Sequence, residues 1–156
     1  MRKIDLGQTV GVLANLGVLV GILLLVYELN QTRELTRAQT RNELSQDLIS
    51  IMLGLADDLE TTSLIDRGDN GEELSDAERV RYFNLTVAQL RYHENVYYQY
   101  RNGLYDENEY RAQREGWRRF VFQSPGLVRV FCMIRPGLSP GFVAEIDGLL
   151  TTHTCE

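Results

Sequence analysis

The sequence predicts an all-α protein in which an N-terminal transmembrane helix continues into a long helical rod and packs with a small antiparallel helical domain. Three observations lead to this prediction. No segment alternates polar and apolar residues between hairpin turns, and apolar residues recur instead with the 3.6-residue period of a helix. Proline is absent before Pro125, so nothing interrupts a long N-terminal helix. The 156 residues suffice for one core beside the anchor.

The first segment, residues 1–28, is predicted to be a membrane anchor. Residues 6–27 carry no charge, and these 22 helical residues span about 33 Å, which matches a hydrocarbon core of about 30 Å. The alternatives are a cleaved signal peptide and a buried core helix. The run ends at Tyr27 and Glu28 without a small-residue cleavage site, which favours an uncleaved span.

Small residues in the span form a stripe on which a second helix can pack closely. Asn15 adds a side-chain amide that can hydrogen-bond to another helix within the lipid. The alternative is that the glycines reflect the general abundance of glycine in membrane helices. The predicted helix-packing residues are Gly7, Gly11, Ala14, Asn15, Gly17 and Gly21.

Residues 29–43 are predicted to form a polar juxtamembrane stalk, with Arg33, Arg37 and Arg41 as a basic ridge at a spacing of four. Such a ridge suits contact with lipid phosphates. Arg2 and Lys3 precede the span, so basic residues flank it almost equally. The positive-inside rule therefore favours a cytoplasmic C-terminal domain only marginally.

Residues 44–156 are predicted to form the helical domain. An apolar period indicates that the rod continues to about Gly68; it comprises Leu44, Leu48, Ile51, Met52, Leu55 and Leu59. A turn over residues 68–74 follows, and then a capping box at Ser75 and Glu78.

That capping box predicts a helix over residues 76–102, which stops at Gly103. Asp106 begins a helix over residues 107–122. Two short helices follow, each opened by a serine before a proline, at Ser124-Pro125 and Ser139-Pro140.

Glu94 is the predicted buried polar residue. It interrupts an apolar stripe formed by Val80, Phe83, Val87, Leu90 and Tyr97. A carboxylate in such a position requires a partner, and Arg41 and Arg118 are the candidates. The alternative is that Glu94 is an acid or base beside His93.

A cluster of tyrosines and arginines over residues 92–119 predicts a partner surface, since both residue types are favoured at the centres of interfaces. The alternative is an amphipathic core with tyrosine hydroxyls at its edge. The candidate surface residues are Tyr97, Tyr98, Tyr100, Arg118 and Arg119.

Motifs for catalysis and metal binding are missing, so we predict no catalytic residue, no metal and no cofactor. The two cysteines, Cys132 and Cys155, permit at most one disulfide. Net charge is −9 over residues 28–78 and +5 over residues 79–135, which favours pairing within the domain or between copies over nucleic-acid binding.

Two stretches, VYELNQTRELTRAQ and HENVYYQYRNGLYDENEY, resemble a family of short, uncharacterised bacterial proteins with one N-terminal membrane helix and a helical domain. The resemblance implies a helical domain anchored by a single span in a bacterial membrane, which we take to be the cytoplasmic (inner) membrane. The family has no known activity to carry over. Its matching positions are Glu94, Asn95, Tyr97, Gln99, Gly103 and Asp106.

These features together predict a non-enzymatic membrane protein that acts in assembly, as a homo-oligomer or as an accessory subunit of a larger membrane complex. Its predicted partners are membrane lipid and other protein subunits, not nucleic acid. The alternative is a membrane-anchored enzyme or ligand-binding module centred on Glu94 and His93, which requires a cavity beside them.

Overall fold

The computed structural model describes residues 6–150 and residue 155, without the side chains of residues 6, 8 and 9. Every regular element in this part of the chain is helical, which confirms the all-α prediction. The elements are α1 (Leu6–Ala56), α2 (Leu59–Asp69), α3 (Asp76–Arg101), α4 (Glu107–Gly116) with a π-helical turn (Trp117–Val121), α5 (Pro125–Ile134) with a 3-10 turn (Arg135–Gly137), and α6 (Pro140–Asp147).

The chain separates into two compact units, Met1–Gln39 and Thr40–Glu156. In the first unit, the large apolar side chains of α1 between Val10 and Leu29 are 49% to 69% exposed. A helix that is apolar on all sides needs apolar surroundings. The helix is long and apolar enough to cross a membrane.

The second unit is built around α3, which packs against α2, α4, α5 and α6. Its core is rich in aromatic rings, among them the fully buried Trp117, Phe122, Phe131 and Phe142. The C-terminal part of α1 belongs to this unit through the buried Leu44, whose carbonyl accepts a hydrogen bond from the Tyr92 hydroxyl at 3.2 Å.

The helical domain begins a few residues before the predicted position 44. Thr40 is already buried, and the Arg41 guanidinium pairs with the Glu109 carboxylate at 2.6 Å. Residue 40 is therefore the first residue that packs within the second unit.

The expectation that the rod reaches Gly68 is wrong, because α1 ends at Ala56. The Asp58 carboxylate accepts hydrogen bonds from the backbone N–H groups of Glu60 and Thr61, both at 3.1 Å, and so opens a new helix. The Thr62 hydroxyl donates to the Leu55 carbonyl at 2.6 Å, which satisfies an acceptor at the end of α1.

The other predicted helix starts are confirmed. Ser75 and Glu78 form the capping box of α3, and the side chains of Asp106 and Ser124 cap α4 and α5. Helix α3 ends at Arg101, one residue before the predicted end, and Gly103, with a φ of 71°, follows the capping residue Asn102.

Helices α2 and α5 approach each other closely at Gly68 and Gly126. A Cβ atom added at Gly126 would lie 1.9 Å from the Gly68 carbonyl oxygen, and one at Gly68 would lie 2.4 Å from the Tyr82 ring. A larger residue would therefore displace backbone at Gly126 and the Tyr82 ring at Gly68.

Candidate functional site

Glu94 links α3 to the start of α6. Its side chain is 16% exposed, and its carboxylate pairs with Arg91 on the same helix at 2.6 Å. The carboxylate also accepts a hydrogen bond from the backbone N–H of Ser139 at 2.6 Å. Partial burial raises the pKa of Glu94, but the Ser139 N–H and the Arg91 guanidinium outweigh it, so that this pKa lies below its usual value.

Glu94 is partly buried rather than buried, and the expectation that Arg41 or Arg118 is its partner is wrong. Arg41 pairs with Glu109, and Arg118 pairs with Glu115 at 2.5 Å. The partners of Glu94 are the Arg91 guanidinium, three residues earlier on α3, and the backbone N–H of Ser139 at the start of α6.

The inner face of α3 is rotated from the predicted stripe. Val80 is 63% exposed, whereas Tyr82, Thr86 and His93, which lie outside the predicted stripe, are buried. Leu90 and Tyr97 of the predicted stripe are buried as expected. A shift of one residue rotates a helix face by about 100°. One polar contact between helices favours this face, since the Tyr82 hydroxyl donates to Asp69 on α2 at 2.7 Å. The Thr86 hydroxyl is satisfied within α3, where it donates to the Tyr82 carbonyl at 2.8 Å, so Thr86 can be buried.

His93, not Glu94, is the buried polar residue in the middle of α3. Its side chain lies among aromatic rings, with centroid distances of 4.9 Å to Trp117, 5.4 Å to Tyr92 and 6.4 Å to Phe122. Neither ring nitrogen has a hydrogen-bond partner in the structure. Burial lowers the pKa of His93 to about 3, so the imidazole is neutral at neutral pH.

A groove of about 450 Å³ opens between the end of α1, α2 and α3, and His93 forms part of its wall. We call it the α1–α3 groove. Its apolar lining includes Leu48, Ile51, Met52, Leu55, Ile65 and Leu85. Glu94 is not among the lining residues, so Glu94 and His93 do not meet at this groove.

The predicted partner surface is divided. Tyr97 is buried, which contradicts its assignment to a surface, while Tyr98 is exposed. Tyr100 stacks on Tyr110 with a centroid distance of 3.9 Å. The tyrosines thus contribute mainly to the core, as the alternative interpretation expected.

The two remaining surface candidates, Arg118 and Arg119, lie on the π-helical turn and both pair with Glu115, at 2.5 and 3.7 Å. Their charges are therefore partly neutralised within the same segment. Whether this segment contacts a partner stays a prediction.

In the first unit, Arg33 and Arg37 are exposed, and Arg37 pairs with Glu34 at 3.2 Å. The predicted packing residues of the anchor, Gly7, Gly11, Ala14, Asn15 and Gly17, are exposed, and Gly21 is half-buried. A Cβ atom added at Gly11, Gly17 or Gly21 would meet no described atom within 4 Å, so this stripe is open to another helix.

Cys132 and Cys155 are joined by a disulfide, with their Cα atoms 5.4 Å apart. The sequence permitted this bridge without predicting it. Among the residues that the structure describes, no three histidine, cysteine or acidic side chains lie together as metal ligands.

Comparisons with protein-family models, with curated proteins and with solved structures find no significant match. Membership of the bacterial family stays a prediction.

Proposed function

We propose that this protein is a non-enzymatic, single-pass membrane protein that acts in assembly as a homo-oligomer, with α1 of one copy packed along α1 of another. The observation that carries this proposal is an exposed apolar face on the part of α1 that belongs to the second unit. Ile49 is 55% exposed and Met52 is 61% exposed, and the neighbouring Ala56 is exposed as well.

These three residues lie three and four positions apart, which is the spacing of a coiled-coil seam. Leu44, which faces the core of the domain, lies on a different side of the helix. Exposed apolar residues at a regular spacing on a polar helix are typical of a surface that another helix covers.

The same seven-residue register also runs through the apolar segment of the sequence. Gly7, Ala14 and Gly21 lie at multiples of seven residues before Ile49 and Ala56. Gly17 lies at a multiple of seven residues before Met52. Small residues suit close helix packing in lipid, and larger apolar residues suit it in water.

A second copy is the partner that this register favours. Two copies anchored by the same end in one membrane are parallel, so each register position meets the same position of the other chain. An isologous pair of this kind is the commonest form of soluble oligomer.

The disulfide supports a location for the aqueous unit outside the cytoplasm, because disulfides persist in oxidising compartments and are rare in the cytosol. The nearly balanced basic residues around the span favour the opposite side only marginally, so we give the disulfide more weight. We therefore assign the protein to the bacterial cytoplasmic membrane with its helical domain on the outer face.

The proposal is tested by measuring the mass of the full chain in mild detergent by light scattering. We expect a multiple of the 17.9 kDa chain mass. Ile49→Glu should shift the protein toward monomer, because it places charges opposite each other on the seam. Val80→Glu on α3, at a residue that is 63% exposed, is the matched control and should leave the mass unchanged. A monomeric wild-type chain would refute the proposal.

The orientation has its own test. Intact cells are treated with a membrane-impermeant reductant and then with an impermeant maleimide, which labels only thiols on the outer face. We expect labelling of Cys132 and Cys155 after reduction and none before it. Labelling that requires permeabilised cells would contradict the proposed orientation.

A further inference from the structure

We infer that Asn42 fixes both the number and the alignment of the copies that pack along α1, and that this number is two. This role rests on the proposed homo-oligomer, whose seam is the seven-residue register of Ile49, Met52 and Ala56. Asn42 would select a parallel, aligned pair of chains over larger bundles.

The register of the seam extends back through the polar stalk. Residues 30–43 contain two apolar residues, Leu35 and Ala38, which lie fourteen residues before Ile49 and Met52 respectively. Both are exposed. A seven-residue apolar spacing sustained over about three heptads is the pattern of a coiled coil. The seam therefore reaches from residue 35 to residue 56.

The register has a limit toward the membrane segment. Glu28 and Gln31 hold the two seam positions before Leu35. In a parallel pair the two Glu28 carboxylates would face each other, and like charges repel. We therefore place the paired segment at residues 35–56.

Asn42 lies on the seam, seven residues before Ile49. It is exposed, whereas Thr40 and Leu44, two residues to either side, are buried in the helical domain. Two residues turn a helix by about 200°, so Asn42 points away from the domain that Thr40 and Leu44 contact. Its side chain is thus accessible to a second copy.

A side-chain amide among apolar seam residues has a specific effect. In an aligned parallel pair, the amide N–H of one Asn42 can donate to the amide oxygen of the other. A shifted alignment would bury this amide against apolar side chains, which costs free energy. A single asparagine at such a position therefore selects the alignment and the number of strands at a cost in stability. Ile49, a β-branched residue one heptad later, also favours two strands.

The residues beside the seam are compatible with a parallel pair. In that arrangement each residue that precedes Leu35, Asn42 or Ile49 faces the residue five positions later on the other chain. These facing pairs are Glu34 with Gln39, Arg41 with Gln46, and Leu48 with Leu53. No pair joins like charges, and the last would cover Leu53, which is 59% exposed in the single chain.

The number of copies is tested by light scattering of the full chain in mild detergent over a dilution series. We expect twice the chain mass of 17.9 kDa for wild type. Asn42→Val should lower the dissociation constant about tenfold and should add species larger than two copies, because an apolar residue no longer penalises them. Asn30→Val, the same exchange at an exposed position of α1 outside the seam, is the matched control and should change neither quantity.

The alignment is tested by cross-linking with Asn42 kept in place. Ser45→Cys puts a thiol on the seam, three residues after Asn42, and mild oxidation should join two copies through it. Asp47→Cys, at an exposed position off the seam, is the control and should not cross-link.

The outcomes separate this inference from the proposed function. A wild-type mass of three or more chains would overturn the role of Asn42 and leave the homo-oligomer standing, whereas a monomer would overturn both. A dimer whose mass and dissociation constant are the same in wild type and Asn42→Val would overturn the inference alone. So would a dimer that Ser45→Cys does not cross-link.

Discussion

Acidification should destabilise the helical domain through His93. The pKa of this residue falls from 6.5 to about 3 on folding because its ring is buried away from water. Between these two values the unfolded chain holds a proton on His93 that the folded chain does not. Stability therefore falls as the pH is lowered below 6.5, and above that value His93 contributes no pH dependence.

The magnitude follows from the difference in proton binding. Each pH unit in this window costs about 1.4 kcal/mol, so that going from pH 6.5 to about pH 4 removes about 3 kcal/mol. This is a substantial part of the stability of an ordinary domain, which is about 5 to 15 kcal/mol.

Urea unfolding at neutral pH and at about pH 4, followed by fluorescence, measures this loss. Trp117 is the one tryptophan in the sequence, and it contacts the His93 ring, so its emission reports on the helical domain. The comparison is with His93→Phe, which keeps an aromatic ring without the titrating nitrogens.

Carboxylates also weaken the folded state in acid, and they must be separated from the effect of His93. Hydrogen bonds from Arg67 and Ser75 hold the pKa of Glu78 at about 2, and a hydrogen bond from Thr61 lowers that of Asp58. These carboxylates are present in both wild type and His93→Phe, so their contribution to the loss of stability cancels when the two losses are subtracted. Equal losses of stability in wild type and His93→Phe would refute the reasoning.

Three further substitutions probe the packing. Gly126→Ala should lower the free energy of unfolding by about 3 kcal/mol or more, because the added Cβ would lie 1.9 Å from the Gly68 carbonyl oxygen. The control Gly54→Ala should raise it by about 0.5 to 1 kcal/mol. Thermal unfolding compares the two variants, and equal melting temperatures would contradict the contact at Gly126. Glu94→Gln should lower the free energy of unfolding by only about 1 kcal/mol, since a neutral amide weakens two charge-assisted hydrogen bonds. A loss several times larger, measured by urea unfolding, would support the original prediction of a buried carboxylate. Cys132→Ser should lower the free energy of unfolding by about 3 kcal/mol, as expected for a disulfide that spans 23 residues. If the oxidised and the reduced wild-type protein unfold at the same midpoint, that result would count against the disulfide.

Local signals explain which parts of the fold could be predicted. A helix start depends on a few neighbouring residues, and Ser75 with Glu78, Asp106 and Ser124 all cap helices as expected. The start at Asp58 was missed, although aspartate is a favoured residue at the N-cap of a helix. The continuous apolar spacing across it favoured an unbroken helix.

The site depends on tertiary contacts that the sequence does not encode locally. The stripe on α3 was assigned from hydrophobicity, which places Val80 inside. It ignores that the Tyr82 hydroxyl can bond to Asp69 on α2 and that Thr86 can be buried with its hydroxyl satisfied by the Tyr82 carbonyl. The α1–α3 groove joins residues up to 45 positions apart, Leu48 and His93 among them, so no motif marks it. For Glu94, the ion pair with Arg91 three residues earlier was a local signal that was missed, whereas the hydrogen bond from the Ser139 N–H comes from a distant helix.

The close approach of α2 and α5 has a consequence for how this sequence can diverge. At Gly68 and Gly126 any side chain collides with backbone or with a packed ring, whereas Gly11, Gly17, Gly21 and Gly54 have open space around the missing Cβ atom. Substitutions at the first pair therefore require compensating changes in two helices at once. In related chains that keep this helix crossing, positions 68 and 126 should remain glycine. Positions 11, 17, 21 and 54 should vary, except where close packing against a partner chain also requires glycine.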